Sequence, residues 1–254
     1  MAICKLCLKD RQLRQSHIIP EFMYSGIYDK NPKRFYEIRI DDNEAKSRIQ
    51  QKGQRENLLC GECESKLSLY EKYADENLYG KNQQGEARLI NQSMDRERKV
   101  FLYEFEAFDY DRMKLFLDSL LWRLLVSETI YTPDYGEEIK EQLRNSIYTE
   151  TPLDPAEFPC LVHSIMTAPG KMLKGFILSP LERKYQNRTI LSVLIDGFEF
   201  NFYMTDNLPE DEIIPFLQRN GELKVLGRLI YDMPELVEIV KQRMDHLRER
   251  LHEK

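Results

Sequence analysis

Cys4 and Cys7, and again Cys60 and Cys63, stand in two Cys-x-x-Cys pairs. A tight turn of that spacing presents two thiolates to one point, and tetrahedral zinc takes four soft ligands, so the two pairs together predict one structural four-cysteine zinc site. Redox use of either pair calls for a neighbouring βαβ pattern, which neither has. Cys160 is left over and reads as a small buried hydrophobe. Close to the pairs stand three further residues with chemical capacity: His17 in Ser16-His17-Ile18-Ile19-Pro20, Asn57 three residues before Cys60, and Glu64 straight after Cys63. His163, His246 and His252 have no nucleophile or metal-ligand spacing around them and read as surface residues. No glycine-rich phosphate loop is present.

The elements that must position these groups follow from periodicity. Arg34 to Ile40 alternates in period two and predicts a strand; Asp41 to Asn43 supplies turn chemistry, and Ala45 to Gln51 returns as a hairpin partner. Beyond Cys60, Leu67, Tyr70, Tyr73, Ala74 and Leu78 recur at helical spacing, which starts a helix at the second pair. A knuckle, a hairpin and a second pair on the opening turn of a helix make a treble clef. Residues 1–80 are therefore read as a zinc-binding unit and 81–254 as a second α+β unit. That unit divides into a helical part (85–150), a β-rich part (159–230) and a terminal helix (234–252). Within it, Met113, Phe116, Leu117, Leu120, Leu121, Leu124 and Leu125 form a broad apolar stripe, from which Trp122 and Arg123 fall off. Thr189–Ile195 and Phe198–Met204 flank Asp196-Gly197, the strongest short hairpin signal. Cys160–Met166 and Gly175–Ser179 read as further strands. The fold class is α+β.

At 42% hydrophobic and 31% charged residues the chain has the composition of a folded globular protein. Its most apolar stretch, Leu115 to Val126, is interrupted by Asp118 and Arg123, and the amino terminus lacks an apolar leader core, so a cytoplasmic protein without a membrane span is expected. The net charge of -6 is uneven: residues 1–55 carry 12 Lys and Arg against 7 Asp and Glu, while the rest carries 25 against 36. A basic cysteine-bearing segment on an acidic chain points to a polyanion such as nucleic acid, and the acidic remainder offers a protein-docking surface.

The knuckle, then His-Ile-Ile-Pro, then Asn-Leu-Leu-Cys-Gly-Glu-Cys-Glu-Ser-Lys, resembles the HNH (ββα-metal) endonuclease superfamily over residues 4–75. The remainder resembles an uncharacterised bacterial protein type. The resemblance implies a phosphodiester hydrolase: His17 would be the general base that activates water, Asn57 would orient that base and its loop, and Glu64 would hold a catalytic Mg²⁺ or Mn²⁺ where the family has His or Asn. Ser16 stands where the family places a metal-binding carboxylate. Nucleic acid, DNA before RNA, would meet Lys33, Arg34, Arg39, Lys46, Arg48, Lys52 and Arg55, in a bacterial defence or mobile-element setting. The alternative is a catalytically degenerate treble clef that only binds nucleic acid or a protein.

Overall fold

Asp196 and Gly197 take left-handed backbone angles, φ +47° and +92°, as a two-residue hairpin turn demands. That turn lies at the heart of a large mixed sheet. A computed structural model describes residues 2–27, 35–38, 48–50, 53–80, 85–97, 99–204, 216–234, 236–238 and 241, with only the backbone at 35–38, 48–50 and 176. In chain order the strands are β1 (Ala2–Ile3), β2 (Asp10–Arg11), β3 (Leu13–His17), β4 (Phe35–Ile38), β5 (Arg48–Gln50) and β6 (Arg55–Cys60), followed by helix α1 (Gly61–Asn77). The hairpin β7 (Arg88–Asp95) and β8 (Val100–Glu106) precedes helices α2 (Tyr110–Val126) and α3 (Glu137–Thr149). Six strands complete the fold: β9 (Cys160–Ala168), β10 (Lys171–Met172), β11 (Phe176–Tyr185), β12 (Arg188–Ile195), β13 (Phe198–Tyr203) and β14 (Leu223–Leu229). Pro234, residues 236–238 and Lys241 are helical, as the position of Pro234 predicts; the rest of the expected terminal helix lies outside the described residues.

The ten-stranded sheet runs β5-β4-β11-β12-β13-β9-β14-β8-β7, with β10 added beside β9. The fold class is thus α+β, as expected. The hairpin predicted between His17 and Asn57 exists in the backbone as β4–β5, but it serves the large sheet, where β4 pairs parallel with β11. Residues 88–106, read from sequence as part of a helical zone, form the β7–β8 hairpin. All of β7 is exposed, so it carries no buried face to impose a period-two pattern. β11 extends well beyond the predicted Ser179, and its register shifts between Leu178 and Leu181, which accommodates Pro180 without a lost ladder bond in a regular stretch.

One face of the sheet, through Val162, Leu191, Val193, Phe200 and Phe202, shares a continuous apolar cluster with α1, α2 and the cysteine region. Helix α2 is buried nearly all round, including Trp122 and Arg123. A smaller cluster on Ile165, Leu178 and Leu194 lies against Ile230, Met233 and Leu236. Among the described residues no helix is long and apolar enough to cross a membrane.

Candidate functional site

The sulfur atoms of Cys4, Cys7, Cys60 and Cys63 all lie within 4.8 Å of one another. None is in a disulfide. The Cys7–Cys60 separation of 3.9 Å is nearly twice a disulfide bond. Four ligands at the Zn–S distance of roughly 2.3 Å on a tetrahedron stand about 3.8 Å apart, so the cluster has the size of a zinc site. The backbone is arranged for thiolates. Cys60 N–H donates to Cys4 Sγ at 3.3 Å. Burial pushes the Cys4 thiol up, but backbone N–H groups at Cys7, Cys60 and Leu6 outweigh it and bring the group down to about 7. Cys7 and Cys63 are raised by burial, and at Cys63 neighbouring thiols add to the shift. The donor set fits Zn²⁺.

Local structure explains how sequence-distant pairs meet. The knuckle closes through Leu8 N–H to Cys4 O (2.8 Å) and Cys4 N–H to Lys9 O (3.0 Å), with Leu8 left-handed at φ +58°. β3 and β6 form a two-stranded ribbon with Leu13 opposite Cys60 at the metal end and His17 opposite Arg55 at the other. The ladder slips so that Leu58 is an extra residue. This bulge frees two groups: Leu58 O accepts from Lys5 N–H of the knuckle at 3.1 Å, and Leu59 N–H donates to Ser16 Oγ at 3.0 Å. Ser16, 1% exposed, is thus a buried satisfier of the bulge.

His17 sits four residues along the ribbon from the Leu13–Cys60 pair, roughly 13 Å at strand rise. Its Nε2 accepts from Arg55 Nε at 2.8 Å and also touches the Glu21 carboxylate. Burial lowers the imidazole below its ordinary value; Arg55 pushes the same way, while Glu21 and Glu71 partly oppose. The His17 carbonyl is held from behind by Arg123 Nη1 (3.2 Å), which also binds Glu71 Oε1 at 2.7 Å. Arg123 is 2% exposed, a role the sequence did not reveal.

The other expected site residues are differently placed. Asn57 Oδ1 accepts from Gln15 Nε2 across the ribbon (2.6 Å). Glu64 lies in the first turn of α1, where a carboxylate suits the helix dipole, and its Oε1 is buried without a hydrogen-bond partner. Glu71, the α1 residue tied to the His17 strand, is seven residues and roughly 10 Å further along the helix. Among the described residues the four cysteines are the only group of three or more ligand side chains close enough to share an ion. No such group gathers at Glu64 or at His17 among the described residues. Arg55 is described and lies at His17; Lys33, Arg34, Arg39, Lys46 and Lys52 lie outside the described residues, and Arg48 is seen only as backbone in β5.

Two polar centres carried no recognisable spacing. Glu56 accepts from Ser127 Oγ (2.5 Å), Glu128 N (3.0 Å), Thr129 N (2.9 Å) and Thr129 Oγ1 (2.7 Å), pinning the end of α2 to the ribbon. Burial raises its carboxyl, but the bonds from Ser127, Thr129 and Glu128 prevail and lower it below its ordinary value. A carboxyl depressed in the folded state stabilises above its unfolded pKa and loses that contribution as pH falls through the folded value. Glu56→Gln is accordingly expected to destabilise the chain at pH 7 and to narrow its difference from the parent protein as pH drops below about 4, measured by urea unfolding across that range.

The second centre corrects the reading of His163 as a surface residue. His163 on β9 faces Glu199 on β13, Nδ1 to Oε2 at 3.0 Å, and Arg183 Nη1 reaches Glu199 Oε1 at 3.1 Å. Burial alone would raise the Glu199 carboxyl, yet hydrogen bonds from His163 and Asn201 and the charges of His163 and Arg183 hold it at about 2. Cross-strand register, invisible to local pattern, creates this cluster.

Compared with known proteins, the chain matches no family model, no curated protein and no solved structure.

Proposed function

We propose that the chain is a zinc-anchored, HNH-like phosphodiesterase acting on nucleic acid, with DNA favoured over RNA and His17 as the general base. In this reading the knuckle, ribbon and α1 form a treble clef whose four thiolates are structural. The observation that carries the proposal is the pair of partners on His17 Nε2, a guanidinium that donates and a carboxylate that can only accept. Both cannot be satisfied by one protonation state. With the imidazole neutral, Arg55 Nε–H occupies the lone pair; a phosphodiester drawing the guanidinium away leaves Nε2 to take a proton from the attacking water. The water oxygen bonds to phosphorus as the P–O bond to the leaving sugar oxygen breaks, and that sugar oxygen takes a proton from solvent. Glu21 then accepts from the protonated ring and stabilises it. Arg55 is left on the phosphate, where charge develops. Arg123 and Glu71 hold the His17 backbone in place throughout.

A binding-only treble clef is the second reading, favoured by Ser16, whose hydroxyl is engaged in the ribbon bulge where a metal carboxylate would be needed. Incubation with supercoiled plasmid, single-stranded DNA and RNA, in Mg²⁺ and in Mn²⁺, separates the two. The nuclease reading expects cleavage that His17→Ala lowers at least about 100-fold, with zinc content unchanged. Salt-sensitive retention of nucleic acid without cleavage would establish the binding-only reading instead.

A further inference from the structure

Among the described residues β7 ends the ten-stranded sheet, and all eight of its own residues are exposed. Leu89, Ile90 and Met94 are 50%, 55% and 49% exposed. An edge strand with apolar side chains and an open row of backbone groups is a template for another strand, and single-chain proteins normally shorten, charge or cover such edges. Pairing by strand addition takes its affinity from main-chain bonds and its specificity from the side chains set opposite one another.

The sequence of β7 states which strand fits. Its ladder with β8 shifts between Leu89, opposite Phe105, and Asn91, opposite Glu104, so Ile90 is an extra residue and Leu89–Ile90 act as one position. Gln92, opposite Tyr103, and Met94, opposite Phe101, share the face of Leu89; Asn91, Ser93 and Asp95 share the other. A two-fold axis through an antiparallel pair must place one residue against itself and keep faces matched. With the axis at Gln92 and Leu89–Ile90 counted once, Met94 falls opposite Leu89–Ile90 of the second copy, and Arg88 falls opposite its Asp95. Apolar meets apolar, and opposite charges meet at both ends. Without the bulge the two halves of the strand would fall out of phase, and Arg88 would land on the wrong face.

We infer that β7 pairs antiparallel with β7 of a second copy of this chain about a two-fold axis at Gln92, joining two sheets edge to edge. This rests on the sheet edge alone and is independent of the nuclease reading.

Sedimentation equilibrium of the full chain is expected to give twice the 30.3 kDa chain mass. Arg88→Glu sets like charges opposite each other at both ends and is expected to raise the dimer dissociation constant at least about tenfold. Met94→Lys should do the same through the apolar contact. The double exchange Arg88→Glu with Asp95→Arg should restore the dimer, and Gln92→Cys should cross-link it under mild oxidation. All four positions are exposed, and circular dichroism verifies that each variant is folded. A monomeric parent protein overturns the inference and leaves the edge to a strand of another protein. A dimer indifferent to Arg88→Glu and Met94→Lys, or one that the charge exchange does not restore and Gln92→Cys does not link, overturns it equally.

Discussion

Cys60→Ser is expected to strip the metal and unfold the amino-terminal third of the chain. The sulfur of Cys60 is one of four ligands, but the residue is also the junction on which the local structure turns. It ends β6, opens α1, and its N–H donates to Cys4 Sγ. Ile3 and Leu8 of the knuckle are both more than half exposed. Its hold on the rest of the chain therefore comes from the buried Leu6, from Lys5 N–H to Leu58 O and Arg144 Nη1 to Leu6 O, and from the metal that ties its two thiolates to Cys60 and Cys63. Structural zinc contributes apparent binding free energies of roughly 10–16 kcal/mol in small zinc modules, and in such modules that is folding free energy. Loss should spread, because Leu6, Ile18 and Leu58 belong to the same apolar cluster as α2 and its Trp122. Metal analysis should find one zinc per parent chain and none in the variant, and chelation of the parent should red-shift the emission of this single tryptophan. Cys160→Ser is the control: that thiol is buried outside the cluster's ligand set, so zinc content should not change. Full zinc content and unchanged emission in Cys60→Ser would remove the four-cysteine site.

What was legible in the sequence was what neighbouring residues decide among themselves. Two thiols three apart specify a metal turn, Asp196-Gly197 specifies a hairpin because both residues accept positive φ, and the apolar stripe of α2 specifies a buried helix. Pairing between distant segments left no local trace. Nothing in Phe35–Ile38 announces that it lies parallel to β11, and Glu56 looks like any strand carboxylate until the 127–129 loop arrives to be capped. The Leu58 bulge, which sets Asn57 opposite Gln15, has no local pattern either. Arg123 was an anomaly on an apolar helix because its partners, Glu71 and the His17 carbonyl, come from elements far away in sequence.

Lys114→Met should be among the most destabilising single changes outside the metal site, and more so than replacing both members of its ion pair. Lys114 and Asp118 lie one turn apart on α2 with side chains 4% and 1% exposed. The ammonium donates to Asp118 Oδ1 (2.7 Å), Glu157 O (2.7 Å) and Phe158 O (3.4 Å), which accounts for all three of its protons. Burial raises the Asp118 carboxyl, and Lys114 is the main group opposing that shift. Removing the lysine leaves a carboxylate with no compensating charge in an apolar helix layer, which costs about 3–5 kcal/mol for a buried pair broken on one side. The sign of the pH dependence follows. With Lys114 gone the folded-state pKa of Asp118 rises further above its unfolded value, so the folded state binds the extra proton and stability is retained at low pH and lost as pH rises through the folded value. Lys114→Met should therefore unfold at lower urea at pH 7 than at pH 5, relative to the parent protein. In the double variant Lys114→Met with Asp118→Leu no charge remains to be desolvated, and most of the loss should be recovered, less what the two backbone carbonyls at 157 and 158 forfeit. Equal destabilisation in the single and double variants, with no pH dependence in the single one, would show that the lysine acts by tying down the 157–158 segment and not by compensating Asp118.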